Sequence, residues 1–179
     1  KLADDNGEGK ELWSKQNISK AEIYGAEFKA QLALDVLMDA PIGLYSDFSV
    51  AYTQGKDKEN GEALDTVSPL SAYFALGYAD VEGTFGGKVA VKAVAGKSDD
   101  DWSNANGKDN VTAPGYAVTD VTAFYRPMAD LTLRAGLFNA FDKKYWEYTN
   151  LIGSEAIDQG LDRRTQPGRN WGIEAEYVF

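Results

Sequence analysis

The chain has 179 residues, a formal net charge of -10, and neither histidine nor cysteine. These facts exclude a disulfide framework and a thiolate metal site, and remove the usual general base and the commonest metal ligand. The negative charge opposes binding to nucleic-acid phosphates, and no apolar run approaches the roughly 20 residues of a membrane-spanning helix.

The front of the chain, KLADDNGEGKELW, lacks the apolar core and cleavage site of a signal peptide. A first strand is predicted from Ile18 to Asp35, with Tyr24, Ala26, Phe28, Ala30, Leu32 and Leu34 on one face. Gly25, Glu27, Lys29, Gln31 and Asp35 take the other face, because successive side chains of a strand point to opposite sides. Ala30 to Leu37 also reads locally as helix. After a short connection at 36–41, a second strand from Ile42 to Thr53 sets Leu44, Phe48, Val50 and Tyr52 against Asp47, Ser49 and Thr53. A polar connection spans 54–69. A third strand, Leu70 to Ala79, carries Phe74, Leu76 and Tyr78 on its apolar face and ends in a tight link at 80–83.

The fourth strand, Thr84 to Lys97, alternates Phe85, Val89, Val91, Ala93 and Ala95 with Lys88 and Lys92. A loop rich in Asp and Asn follows at 98–114. The fifth strand, Gly115 to Arg126, sets Val121, Ala123 and Tyr125 against Asp120 and Thr122. Beyond a turn at 127–130, the sixth shows Leu131, Leu133, Ala135 and Leu137 opposite Thr132, Arg134 and Gly136. The longest connection, 141–168, precedes a final strand in which Trp171, Ile173, Ala175, Tyr177 and Phe179 alternate with Glu174 and Glu176.

This period-2 pattern predicts an all-β chain. Connections alternate short and long, as in antiparallel transmembrane barrels with tight periplasmic turns and long extracellular loops. Each strand is near or beyond the roughly nine to eleven residues that cross a bilayer at a tilt. A lone Lys or Arg on a lipid face costs roughly 2–4 kcal/mol at midplane, which supports placing Glu27, Lys29, Asp47, Lys88, Lys92, Asp120, Arg134, Glu174 and Glu176 on the lumen face. The odd number of predicted strands leaves unpaired edges that a hydrocarbon core does not tolerate. The expectation is therefore a piece of a larger barrel, with residues 1–17 the end of an extracellular loop.

Two runs near the carboxyl end carry a family resemblance. Leu137-Phe138-Asn139-Ala140-Phe141-Asp142-Lys143-Lys144-Tyr145-Trp146 is similar to the next-to-last strand and last loop of TonB-dependent outer-membrane receptors. Thr165-Gln166-Pro167-Gly168-Arg169-Asn170-Trp171 resembles the entry to their last strand, and Ala21-Glu22-Ile23-Tyr24-Gly25-Ala26-Glu27-Phe28 resembles a recurring barrel strand. Ser68-Pro69-Leu70, Leu76-Gly77-Tyr78 and Phe85-Gly86-Gly87 resemble the haem and haemoglobin receptors of that family.

The resemblance implies a barrel of about 22 strands closed by a plug, energised through a TonB box in a front part not included in these residues. It implies the carboxyl-terminal portion of an active importer of an iron source, with haem as transported ligand and no cofactor resident in this segment. The implied partners are outer-membrane lipid, the upstream plug and strands, the TonB complex, and haemoglobin or another haem-carrying protein. Ferric-siderophore or metallophore import is the alternative within the fold; a passive small barrel, pore or adhesin, is the alternative outside it. The inner charges are expected to meet the plug. Trp171, Tyr177 and Phe179 are implied as the signal read by the barrel-assembly machinery.

Candidate ligand residues lie in the loops: Trp102, Tyr116, Tyr145, Trp146, Tyr148, Arg163 and Arg164. Rigid aromatics with a polar rim suit recognition, an arginine pair suits carboxylates, and a Tyr phenolate such as Tyr116 or Tyr148 is a known type of axial haem ligand. The alternative for Tyr145 and Trp146 is the outer aromatic girdle. Asp99-Asp100-Asp101 with Asn104, Asn106 and Asp109 offers hard oxygens, but not in an EF-hand order, and reads as a solvated acidic loop; no metal site is assigned. No nucleophile motif supports an enzyme.

Overall fold

The computed structural model describes residues 20–98, 101–103, 111–152, 154 and 160–179; the expectation for residues 1–17 lies outside them. Seven strands form one antiparallel sheet in chain order: β1 (Ala21–Ala33), β2 (Leu44–Asp57), β3 (Ser71–Ala79), β4 (Phe85–Val94), β5 (Tyr116–Met128), β6 (Leu131–Phe138) and β7 (Asn170–Tyr177). Each strand pairs with the next, and β1 and β7 are the sheet edges.

Strand bounds differ from the sequence pattern where local chemistry overrides alternation. β1 stops at Ala33, paired with Tyr45. Leu34–Leu37 then form one helical turn, α1, closed by the Met38 N–H donating to the Leu34 carbonyl at 3.0 Å. Asp35 leaves the inner face to accept a hydrogen bond from Gly43 N–H at 3.1 Å. Gly43 sits at φ +92, and a Cβ there would meet the Ala79 carbonyl oxygen at 2.0 Å, so this corner requires glycine. β2 runs on to Asp57 because its end pairs with Ala21 and Glu22 of β1. β5 continues through Pro127 to Met128 by means of an irregularity between Tyr125 and Met128, the kind of position where a sheet accepts proline. Only Ala129 and Asp130 then remain as the turn to Leu131. β4 ends at Val94, after which the ladder persists as a single bridge between Lys97 and Ala113.

Register fixes the faces, since residues directly opposite in an antiparallel pair share a side. One row joins Gln31 to Asp47, Asp47 to Ala75, Ala75 to Ala90 and Ala90 to Asp120. Parallel rows place Glu27, Lys29, Lys88, Lys92, Arg134, Glu174 and Glu176 on that same face. The opposite face has uncharged rows such as Ala30, Phe48, Phe74 and Val91, then Leu76, Val89, Val121, Leu137 and Trp171, and its charged residues Glu22 and Lys56 lie opposite each other at the loop end. Tyr78, Phe85, Tyr125 and Tyr177 ring its short-turn end, and Tyr24, Tyr52 and Trp171 its long-loop end.

The charged face is the hollow one. Tyr45 of β2, Lys88 of β4, Arg134 of β6 and Glu174 of β7 line a single depression of about 610 Å³, so the sheet curves toward that side. The sheet has no conventional core, and no large side chain among the described residues is fully buried. The main buried apolar cluster lies above the sheet in the long connections, where Trp102, Val111, Ala113 and Leu151 pack with Trp146, Tyr148 and Leu161.

Candidate ligand-facing site at the loop end

The described parts of the long connections between β2 and β3, β4 and β5, and β6 and β7 lock into one cap. Tyr148 reaches across to the first, its hydroxyl 3.0 Å from Ser68 Oγ and donating to the Thr66 carbonyl at 3.2 Å. Lys97 enters from the second: it is 4% exposed, donates to the Asp65 and Val67 carbonyls at 3.0 and 3.3 Å, and stands 4.2 Å from the Trp102 ring centroid. A buried ammonium is tolerated only with such partners. Burial holds it below the ordinary lysine range, with Asp65 and Asp101 opposing the shift. The Ser103 N–H donates to Asp65 Oδ1 at 2.6 Å, a second tie between the same loops.

Beneath the cap, Tyr116 begins β5 on the inner face, opposite Val94. Its ring lies against Tyr145 at 4.4 Å between centroids. Lys92 stands 5.9 Å from the Tyr116 centroid and pairs with Glu147 at 2.9 Å. Burial, and then the Glu147 carboxylate, hold the Tyr145 phenol above its ordinary range. Tyr145 therefore faces inward against Tyr116 and not outward in a girdle. Trp146 donates its indole N–H to the Leu161 carbonyl at 2.8 Å and packs in the cap, so it is not a girdle residue either.

Of the loop candidates, Trp102 is 3% exposed and supports the cap from within, with its indole N–H unpartnered among the described residues. Tyr148 has its hydroxyl engaged by Ser68 and Thr66, and the Tyr116 hydroxyl is buried beside Tyr145. The arginines separate in role. Arg164 ties the last loop to itself through the Asn150 carbonyl at 3.3 Å and Ser154 Oγ. Arg163 is exposed at the surface. In the acidic loop, Asp101 accepts from Ser98 N–H and Oγ–H at 2.8 and 2.7 Å; Asp99, Asp100, Asn104, Asn106 and Asp109 lie outside the described residues.

On the inner wall, Arg134 bridges Glu174 and Glu176 at 3.0 and 2.8 Å, Asp47 accepts from Gln31 at 2.9 Å, and Glu27 lies 3.5 Å from Lys29. Lys88 lies beside Tyr73. Asp120 accepts from the Asn139 N–H at 2.8 Å. Asn139 is in turn a hub: its amide donates to the Lys143 and Pro167 carbonyls at 2.8 and 3.2 Å, and its Oδ1 accepts from Lys143 N–H at 2.8 Å. Lys97, Glu147, Asn139 and Asp142 were not singled out as site residues by sequence reasoning. For the last two, their place in a dense motif was the available signal.

A curved antiparallel sheet with an outer face uncharged except at its loop end, a charged inner face and long loops at one end is a segment of a barrel of the membrane-spanning type. The family model described as TonB dependent receptor-like, beta-barrel, matches residues 2–140, and the chain belongs to that family. Among curated relatives, the chain is 30% identical to a hemoglobin-haptoglobin utilization protein B of Neisseria meningitidis, over 94% of this chain and 23% of that protein. It is 32% identical to a heme/hemopexin utilization protein C of Haemophilus influenzae, over 92% of this chain and 20% of that protein. Among solved structures it resembles the copper transporter OprC, with a TM-score of 0.69, 26% identity and coverage of 89% of this chain and 24% of that one. It also resembles the ferric enterobactin receptor of Pseudomonas aeruginosa, with a TM-score of 0.67, 25% identity and coverage of 91% and 23%. The chain thus spans about a quarter or less of the length of these proteins.

Proposed function

We propose that this chain forms the carboxyl-terminal part of an outer-membrane receptor that imports haem, received from haemoglobin or another haem-carrying protein, with energy supplied through TonB. The observation that carries the membrane assignment is the division of charge: the outer rows below the loop-end pair Glu22 and Lys56 are free of charged side chains, whereas the inner rows hold every lumen residue named above. In the hydrocarbon core that division is worth kilocalories per residue. The haem assignment draws support from the names of the curated relatives, which refer to haemoglobin, haemoglobin-haptoglobin and haem.

In this reading Glu27, Lys29, Asp47, Lys88, Asp120, Arg134, Glu174 and Glu176 face the plug and the aqueous interior. The cap built on Lys97, Trp102, Trp146 and Tyr148 stands on the extracellular side, with Arg163 at its surface. Trp171, Tyr177 and Phe179 close the chain as the assembly signal; the last two rings meet edge to face at 5.1 Å. Ferric-siderophore import is the second reading, supported by likeness to the ferric enterobactin receptor. Haem titration of the intact receptor, followed at the Soret band, separates the two. A saturable shift is expected; a flat haem titration together with binding of a ferric siderophore contradicts the haem assignment.

A further inference from the structure

We propose that Lys92 and Tyr116 form a carboxylate-binding site at the loop end of the inner face, and that Glu147 occupies it here as an internal stand-in for a ligand carboxylate. The proposal deepens the uptake function and rests on it, but it concerns the chemistry of recognition and not the identity of the cargo.

Lys92 rises from β4 between its register partners, Tyr73 on β3 and Val118 on β5. Its ammonium meets one oxygen of Glu147 at 2.9 Å, yet the side chain remains 46% exposed and can be reached from the hollow side of the sheet. Tyr116 lies beside it, 7% exposed, and its hydroxyl has no completed hydrogen bond among the described residues. The Glu147 carboxylate is the acceptor that bears most on that hydroxyl, although the pair does not reach hydrogen-bond geometry. A buried hydroxyl lacking a partner is uncommon and costly, and such a group marks a place built for something more.

The two donors converge on one position, and the group now there is a carboxylate. An ammonium and a phenolic O–H suit an anionic oxygen, because hydrogen bonds with a charged partner are stronger than neutral ones. Glu147 belongs to the connection between β6 and β7, not to the sheet, so turning its side chain aside frees both donors while the cap and the Tyr145 ring stay in place. Tyr145, stacked on Tyr116 at 4.4 Å, extends an aromatic wall next to the site. The ligand that fits is a carboxylate attached to a flat apolar body. Haem has this chemistry, and a ferric carboxylate chelate shares the carboxylate alone. In either case the ligand must displace Glu147 from Lys92.

The test uses the intact receptor carrying K92Q, E147Q or Y116F, each checked for the heat-modifiable mobility of a folded barrel. The probes are haem, haem dimethyl ester and ferric citrate, with binding read by Soret shift or fluorescence quenching. Wild type is expected to bind haem about tenfold or more tightly than its ester, the cost of losing a charge-assisted contact. K92Q should remove that preference, Y116F should reduce it, and E147Q should tighten haem binding while leaving the ester unchanged. If haem is silent but ferric citrate binds and is weakened by K92Q, the site stands and the haem assignment fails. If haem binds as well as its ester and K92Q changes neither, the site is overturned while haem uptake stands. Failure of both carboxylate probes to bind folded receptor also overturns the site.

Discussion

Asp142 Oδ1 accepts a hydrogen bond from the backbone N–H of Arg169 at 2.7 Å, joining the start of the longest connection to its end. Asp142 and Asn139 both adopt left-handed backbone, at φ 55 and 49, a region that Asn and Asp enter more readily than other residues with a Cβ. Gly168 lies against the same carboxylate, where a Cβ would stand 2.6 Å from Asp142 Oδ1. The two carboxyl-terminal motifs are therefore two halves of one clasp that sets β7 against β6. D142A should cost about 0.5–1.5 kcal/mol, the range for one exposed hydrogen bond. N139A should cost more, because it removes three side-chain bonds, two to Lys143 and one to Pro167; urea unfolding of the folded receptor measures both. Equal stability of N139A and wild type would contradict the clasp.

Tyr45 and Gly77 are register partners on the inner face, and a Cβ on Gly77 would stand 2.3 Å from the Tyr45 ring. The ring covers the glycine, a device that restores packing where a strand has no side chain. G77A is expected to destabilise by roughly 1–3 kcal/mol through overpacking. Because the cost arises from one contact, adding Y45A should recover part of it in a double-mutant cycle. Strict additivity of the two substitutions would remove this explanation.

Period-2 alternation made the strand order, the two faces and the short-long rhythm of the connections legible, because register repeats every second residue along the whole sheet. The cap was not legible. Its ties, such as Tyr148 to Ser68 across 80 positions of sequence, have no period and involve residue types common in any loop. Alternation also carried the first strand too far, through Leu34 and Asp35, since nothing local announced that the Asp35 carboxylate would be spent on Gly43 N–H. The aromatic loop residues were recognisable as a group, but their burial against one another was not.

Lys97 gives the cap a pH signature. Its pKa in the folded chain lies below the ordinary value of 10.5, so in the window between the two the unfolded chain binds the proton more tightly. Stability from this group therefore rises as pH climbs through that window and is flat below it, where the full cost of a buried charge is present. Measured against K97M, which cannot titrate, the wild-type urea midpoint should rise as pH climbs toward the ordinary lysine value of 10.5. Parallel profiles of the two proteins would count against burial of this ammonium.

A charge placed on the outer face should be far more damaging than the same charge on the inner face. V89R, in the middle of β4, is expected to cost roughly 2–4 kcal/mol in a bilayer. S49R, on the inner face beside Asp47, should cost less than 1 kcal/mol, the scale of a solvated charge near an opposite one. Folding yield and urea stability in lipid vesicles measure both. Similar costs for the two would mean that the faces do not differ in environment.

The most direct test of the barrel assignment introduces single cysteines into these 179 residues, which have none of their own, with any cysteine elsewhere in the receptor replaced. Single cysteines at Val89 and Lys88, neighbours on β4 that face opposite sides, can be labelled with a fluorophore in the intact receptor and challenged with a quencher carried on lipid tails. The account predicts strong quenching at V89C and little at K88C. Equal quenching at both positions, or quenching confined to K88C, would contradict it.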